Sequence, residues 1–419
     1  MEPRNRTLFR ERSQKTRLQR FGMPLIAGGI VVLVGVAGFF APSSPIEPIE
    51  PVATTTPVIL PASTSSPAVP MPEPLMPSHI PVATPSESGS VGLSVAETLT
   101  GLSASELSKQ LDDMQALHTT WIRLDFDWAV IQRGGPDFYD WSRVDRVVAA
   151  TNKRGFKLLP ILAYTPRWAR SEDCSVRCPP TDPATFAHFA AVAAERYAPQ
   201  GVHTWEIWNE PNVASFWRPG ADPVQYAALL KATYLNIKNV DPTAEIISGG
   251  LAATDSRGGN MPARDFLSGI YAAGAGPYFT AVGMHPYSFP VTASYNASWN
   301  AWQQMANTNP SLRDIMIANG DRDKKIWITE YGAPTGGPGE ASAAYDPHQS
   351  SDHVTEGRQK EMLVDAIADA AKHDWLGPFF WYSYKDIGTS QSSTENFYGI
   401  IRADGSHKPA YDALHELLK

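Results

Sequence analysis

The segment Trp205-Glu-Ile-Trp-Asn-Glu210, followed by Pro211, places a carboxylic acid at the end of an apolar run that reads as a buried strand entering a turn. A second such ending lies 120 residues on, where Lys325-Ile-Trp-Ile-Thr329 precedes Glu330 and then Tyr331-Gly332. Two carboxyl groups on strand ends suit cleavage of an acetal. The departing oxygen must take a proton from a neutral carboxyl while an ionised neighbour stabilises or attacks the sugar carbon, where positive charge grows. Either Glu alone reads as an ordinary rim residue. The pair, each behind a Trp-containing apolar run, carries the chemical reading.

The elements that must position this pair form a repeating pattern. Strand-like runs over 91–95, 121–126, 157–162, 203–208, 245–248, 279–284, 325–329 and 378–382 alternate with helix-like stretches. Eight strand-and-helix units predict one closed (β/α)8 barrel, the TIM barrel class, over residues 91–419. Helix starts are marked by a capping box at Ser103-Ala-Ser-Glu106 and by Asp182-Pro183 and Asp222-Pro223. Val144, Val147 and Val148 mark the helix after the second strand, which Gly155 ends, and the last helix is expected from about Pro409 to Leu418.

In such barrels the working residues collect at the C-terminal strand ends. Glu210 then ends strand four and Glu330 strand seven. The same rim gathers Arg123 and Asp125 from strand two, Asn209 beside Glu210, His285 and Tyr287 after strand six, and Trp381 on strand eight. Trp168, Trp217 and Trp381 are the expected sugar-stacking rings, whereas Trp205, Ile207 and Trp327 are expected in the core. Arg123 also reads as an ion-pair partner of Asp125 or Asp127, and His285 as a structural imidazole. A strict period of two would turn adjacent Asn209 and Glu210 to opposite faces, so the strand must end or bulge there. His285, Glu210 and Glu330 lack any metal-ligand spacing such as His-x-x-x-His, so no metal and no cofactor is expected.

The rest of the chain bears on compartment. Residues 1–20 hold seven basic side chains against Glu2 and Glu11, and residues 21–40 carry no charge. That run is about 30 Å of helix, enough to span a bilayer as a signal-anchor with the basic tail inside. A cleaved signal peptide, cut near Gly35-Val36-Ala37, is the rival reading, and both export the remainder. Residues 41–90 hold 13 prolines, four Glu and no Lys, Arg or aromatic residue, the composition of a disordered linker. The whole chain has a net charge of −8 while residues 1–20 carry +5, so the exported part sums to −13. Such acidity argues against nucleic acid and anionic lipid as partners of the barrel; membrane contact is expected through the N-terminal helix alone. A monomer facing a polysaccharide or oligosaccharide remains. Cys174 and Cys178, the sole cysteines, suggest a loop disulfide in an oxidising compartment.

These motifs resemble the clan of retaining (β/α)8 glycoside hydrolases, which carries Asn-Glu after strand four and a nucleophilic Glu after strand seven. Trp208-Asn-Glu-Pro-Asn212 with Phe216-Trp217 is most similar to glycoside hydrolase family 39, with family 5 second, over nearly all of residues 91–419. The resemblance implies roles. Glu210 would be acid and then base, Glu330 the nucleophile, and Asn209 the holder of the neighbouring sugar hydroxyl. Arg123 and Tyr287 would hydrogen-bond Glu330, and His285 and Trp381 would line the site of the cleaved sugar. It also implies a non-proline cis bond, expected at Trp381-Tyr382.

Two departures from those families, Ala163-Tyr164-Thr165-Pro166 where family 5 often has His and the missing β-rich domain after the barrel, favour an endo-acting enzyme on envelope glycan. The alternatives are an envelope transglycosylase using the same two Glu and a non-catalytic glycan-binding barrel. The latter has no need of both acids.

Overall fold

A computed structural model of the protein describes residues 90–348 and 351–419. The basic tail, the apolar run at 21–40 and all but the last residue of the proline-rich linker lie outside the described residues. Among the described residues no helix is long and apolar enough to cross a membrane.

Eight parallel strands close into one barrel in sequence order. They are β1 (Val91–Ala96), β2 (Trp121–Asp127), β3 (Lys157–Ala163), β4 (Thr204–Asn209), β5 (Glu245–Ala252), β6 (Ala281–His285), β7 (Lys325–Tyr331) and β8 (Leu376–Tyr382). The main helices are α1 (Ala104–Ala116), α2 (Ser142–Asn152), α3 (Pro183–Tyr197), α4 (Pro223–Val240), α5 (Ala263–Ala272), α6 (Leu312–Ala318), α7 (Glu356–Ala370) and α8 (Pro409–Leu418). Each strand is buried on both faces, which is why it reads as a nearly continuous apolar run.

Local signals set the helix starts. Ser103 accepts from the Glu106 amide while the Glu106 side chain reaches back, and Asp182 and Asp222 cap helices that begin with proline. Gly155 follows α2 at φ 74°, a left-handed value that costs glycine little. β5 runs four residues beyond the expected Ser248 because Gly249 and Gly250 continue the strand. Their amides take the Tyr226 hydroxyl (2.7 Å) and the Glu206 carboxylate (2.9 Å) as acceptors. Glycine inside a strand commonly marks a close approach.

The barrel interior is layered. Trp121, Leu159, Ile247, Ala281, Trp327 and Phe380 form an apolar plug, with the Trp121 and Trp327 rings edge to face at 5.5 Å. One step nearer the C-terminal strand ends the inward side chains turn polar, with Ser94 paired to Arg123 in register. A second apolar shell lies between strands and helices and includes Trp205, Ile207, Trp208 and Trp381.

Candidate active site

The polar layer is built around Arg123, which has no exposed surface. A guanidinium has five N–H donors and no acceptor, so burying it requires five acceptors. They are all present. Nε donates to Glu206 Oε2 (2.5 Å); Nη1 to Glu330 Oε1 (2.7 Å) and Ser94 Oγ (3.0 Å); Nη2 to Glu206 Oε1 (3.0 Å) and Asn209 Oδ1 (2.9 Å). Burial opposes the charge, but Glu206 and Glu330 outweigh it and hold the guanidinium above its ordinary range.

Glu206 and Asn209 stand three apart on one strand, and a period of two would set them on opposite faces. Trp208 resolves this by adopting φ 72°, and Glu210 follows at φ 48°, both left-handed. The strand ends at Asn209, as the sequence requires, and the two left-handed residues turn Asn209 toward Arg123 and Glu210 toward His285. Such backbone costs about 1–3 kcal/mol per residue and clusters at functional sites. With its carbonyl oxygen held by Arg123, the Asn209 amide is oriented with NH2 as the group left to donate.

A different device serves β7. Ile328 pairs with Phe379 and Tyr331 with Trp381, three residues against two, so the strand bulges at Thr329-Glu330. Tyr331 therefore turns to the helix side against Trp302, while Glu330 meets Arg123. Tyr287 donates its hydroxyl to the other Glu330 oxygen at 2.9 Å.

His285 joins the two acids. Nδ1 lies 3.1 Å from Glu210 Oε1 and 3.7 Å from Glu330 Oε2, and Nε2 faces Arg123 Nη2 at 3.4 Å. Both hydrogens of Nη2 are already committed to Glu206 and Asn209, so the 3.4 Å approach is a contact and not a further bond; a carboxylate oxygen accepts, so the proton on Nδ1 is the one directed at Glu210. One donor atom each from Glu210, His285 and Glu330 lies within 4.8 Å of the other two. Such a trio can hold a metal in other settings. Here Glu330 already accepts from Arg123 and Tyr287, and a metal cation would be forced beside a buried guanidinium.

Six residues singled out in the sequence are thus brought together: Arg123, Asn209, Glu210, His285, Tyr287 and Glu330. Two are not. Trp217 has no exposed surface; the turn after Pro211 folds it back on β4, edge-on to Trp208 (5.1 Å) and Tyr226 (5.6 Å), with Nε1 on Gln225. Trp381 is equally buried, because Phe380 fills the barrel interior and the next residue must face the helices, where it meets Tyr331. Neither can present a ring face to a sugar. Trp168 is half-buried, packed on Trp128 and donating to the Gln132 carbonyl (2.8 Å), which ties it to the loop after β2.

The non-proline cis bond is Tyr382–Ser383, one residue beyond the position expected. Tyr382 is the β8 aromatic that clusters with Tyr398, Tyr287 and Phe289, on the side of the Glu330 partner Tyr287. Glu206, Ser94 and Tyr382 were missed in the sequence. A Glu inside an otherwise apolar strand, together with Arg123 on another, was the available signal for the first. Cys174 and Cys178 do form a disulfide, closing the loop after β3.

Residues 90–382 match the family described as cellulase (glycosyl hydrolase family 5). Among solved structures the fold is similar to a family 39 glycoside hydrolase from the gut symbiont Bacteroides cellulosilyticus WH2, with 23% identity and a TM-score of 0.60. That match covers 80% of this chain and 64% of the other, so this chain spans less than two thirds of its length. A family 39 beta-xylosidase from Caulobacter crescentus gives 20% identity and a TM-score of 0.56, covering 78% of this chain and 70% of that one. The family 39 enzyme from Xanthomonas axonopodis pv. citri gives 20% and 0.57, covering 79% and 66%. At these identities the likeness is one of fold. The family match, over well more than half of the chain, does more: this protein belongs to the cellulase family of glycosyl hydrolases, family 5.

Proposed function

We propose that the protein cleaves O-glycosidic bonds within an extracellular or cell-envelope polysaccharide by double displacement, with Glu330 as nucleophile and Glu210 as acid and then base. The observation that carries the reading is the separation of the two carboxylates. One oxygen of each lies within 4.8 Å of one of the other, an upper bound that falls with the roughly 5–5.5 Å spacing of double displacement and below the roughly 6.5–9.5 Å an intervening water requires.

The surroundings divide the roles. Glu330 accepts from a guanidinium and a phenol, which favours the ionised form that attacks. Glu210 faces the Nδ1 edge of an imidazole, a contact that suits a group alternating between holding and releasing a proton. Asn209 would donate to the hydroxyl next to the reacting carbon. The basic tail at 1–20, the uncharged apolar run at 21–40 and the proline-rich linker at 41–90 support an anchored enzyme held outside the membrane.

Azide provides the test. Glu330→Ala should lose turnover and give a glycosyl azide of inverted configuration. Glu210→Ala should keep activity mainly on substrates with good leaving groups and give an azide of retained configuration. Near-normal turnover in Glu330→Ala would end the assignment. The size distribution of early products from a polysaccharide tests internal cleavage.

A further inference from the structure

The loops at the active face also hold a cation that double displacement does not use. Arg177 lies within the loop closed by Cys174 and Cys178 and is only 6% exposed. Its guanidinium carbon sits 4.6 Å from the centre of the Tyr164 ring and 4.2 Å from that of Phe216. Tyr164 directly follows β3, and Phe216 belongs to the turn that follows Glu210.

The backbone around it is fixed. Thr165 donates its amide to Val176 (2.8 Å) and its hydroxyl to Cys178 (2.6 Å), and the Arg218 amide donates to the Arg177 carbonyl (3.2 Å). Among the described residues no acceptor takes a hydrogen bond from the Arg177 side chain, and its nitrogens are not sealed from solvent. Asp127 is the acid that feels its charge, but that carboxylate is committed to capping the helical turn after β2, accepting from Val130 at 3.0 Å. Burial pushes the Asp127 carboxyl up to about 6, so it balances Arg177 less as pH falls toward that value.

A guanidinium flanked by aromatic rings has only its in-plane edge to offer, and that edge matches the two oxygens of a carboxylate. Held in place before a ligand arrives, it loses little side-chain entropy on binding. Neutral sugar hydroxyls do not call for a nearly buried cation whose side chain donates to no acceptor among the described residues.

We propose, resting on the glycosidase reading above, that Arg177 is a specificity-determining residue that binds the carboxylate of a uronosyl unit in the polysaccharide.

The test uses the full chain carrying Glu330→Gln, so that ligands are bound and not consumed. Calorimetric titration compares cello-oligosaccharides, the same oligosaccharides oxidised to carboxylates at C6, and their C6 sulfate esters. Carboxylated ligands should bind about 10–100-fold more tightly than neutral ones, the range for a hydrogen-bonded charge pair. Adding Arg177→Gln should abolish that preference and leave neutral binding in place. Adding Arg177→Lys, which keeps the charge and loses the planar edge, should retain part of it. The proposal fails if the parent shows no carboxylate preference, if the preference survives Arg177→Gln, or if sulfate esters bind as tightly as carboxylates. The azide experiment is independent: its failure with an intact carboxylate preference would remove the glycosidase reading and spare the subsite.

Discussion

Arg123 and Glu206 form a two-pronged, fully buried ion pair, at 2.5 and 3.0 Å, beneath the two acids and 83 residues apart in the chain. Glu206 thereby aims the remaining donors of Arg123 at Glu330 and Asn209. A residue assigned no role in the proposed chemistry sets the geometry of two that have one.

Arg123→Lys should therefore be far from conservative. Lysine brings three donors where five acceptors wait, and it cannot chelate Glu206 in plane. Breaking a buried pair typically costs about 3–5 kcal/mol. The expected outcome is a clear fall in melting temperature together with a kcat loss larger than the change in KM. Wild-type kcat in a folded Arg123→Lys enzyme would show that Glu330 does not depend on this support.

Gly250→Ala tests the packing of His285. A Cβ at Gly250 would stand 2.0 Å from His285 Nε2 and 2.6 Å from Thr329 Oγ1, so the imidazole must move. Overpacking of this kind costs about 1–3 kcal/mol. Since His285 is the partner of Glu210, the pH profile of kcat should change as well as stability. A profile identical to wild type would argue that His285 plays no part in setting Glu210.

Trp217→Ala should damage stability and not sugar recognition. The ring is wholly buried between Trp208 and Tyr226, and removing a large core aromatic costs about 3–5 kcal/mol. Denaturant titration should show the loss. Any enzyme that still folds should keep its KM, whereas a large rise in KM with normal stability would return Trp217 to the substrate site.

Asp127 gives a pH dependence with a definite sign. Burial raises its folded-state carboxyl to about 6, above the ordinary value of 3.8, so the folded protein binds more protons than the unfolded chain between those values. Stability contributed by this group is then lost as pH rises from about 4 to 6, by an amount on the order of 1–3 kcal/mol. Asp127→Asn keeps a helix-capping side chain and should flatten that slope in thermal melts across the window. An unchanged slope would show that Asp127 titrates normally.

Much of this was legible along the chain. A closed parallel barrel buries both faces of every strand, so each strand is an apolar run, and the expected and observed strands agree to within a few residues at most ends. The two acids were found because each breaks such a run at its C-terminal end. Where the reading failed, it failed on direction. Trp381 lies one residue from Tyr382, and only the packing of Phe380 inside the barrel decides which of the two faces the site. Trp217 was read as a platform because nothing local shows that its turn folds back on β4.

The amino-acid sequence by itself determined the barrel, the helix caps and the placement of two carboxyl groups at strand ends, because these follow from periodicity, capping chemistry and the position of charge in apolar runs. Tertiary structure alone decided that Glu206 steadies Arg123, that β7 bulges at Thr329-Glu330, and that Arg177 stands clamped between Tyr164 and Phe216. The physical reason is that burying a charge is tolerable only where several distant strands supply acceptors or ring faces at once, and such convergence leaves no mark on neighbouring residues of the chain.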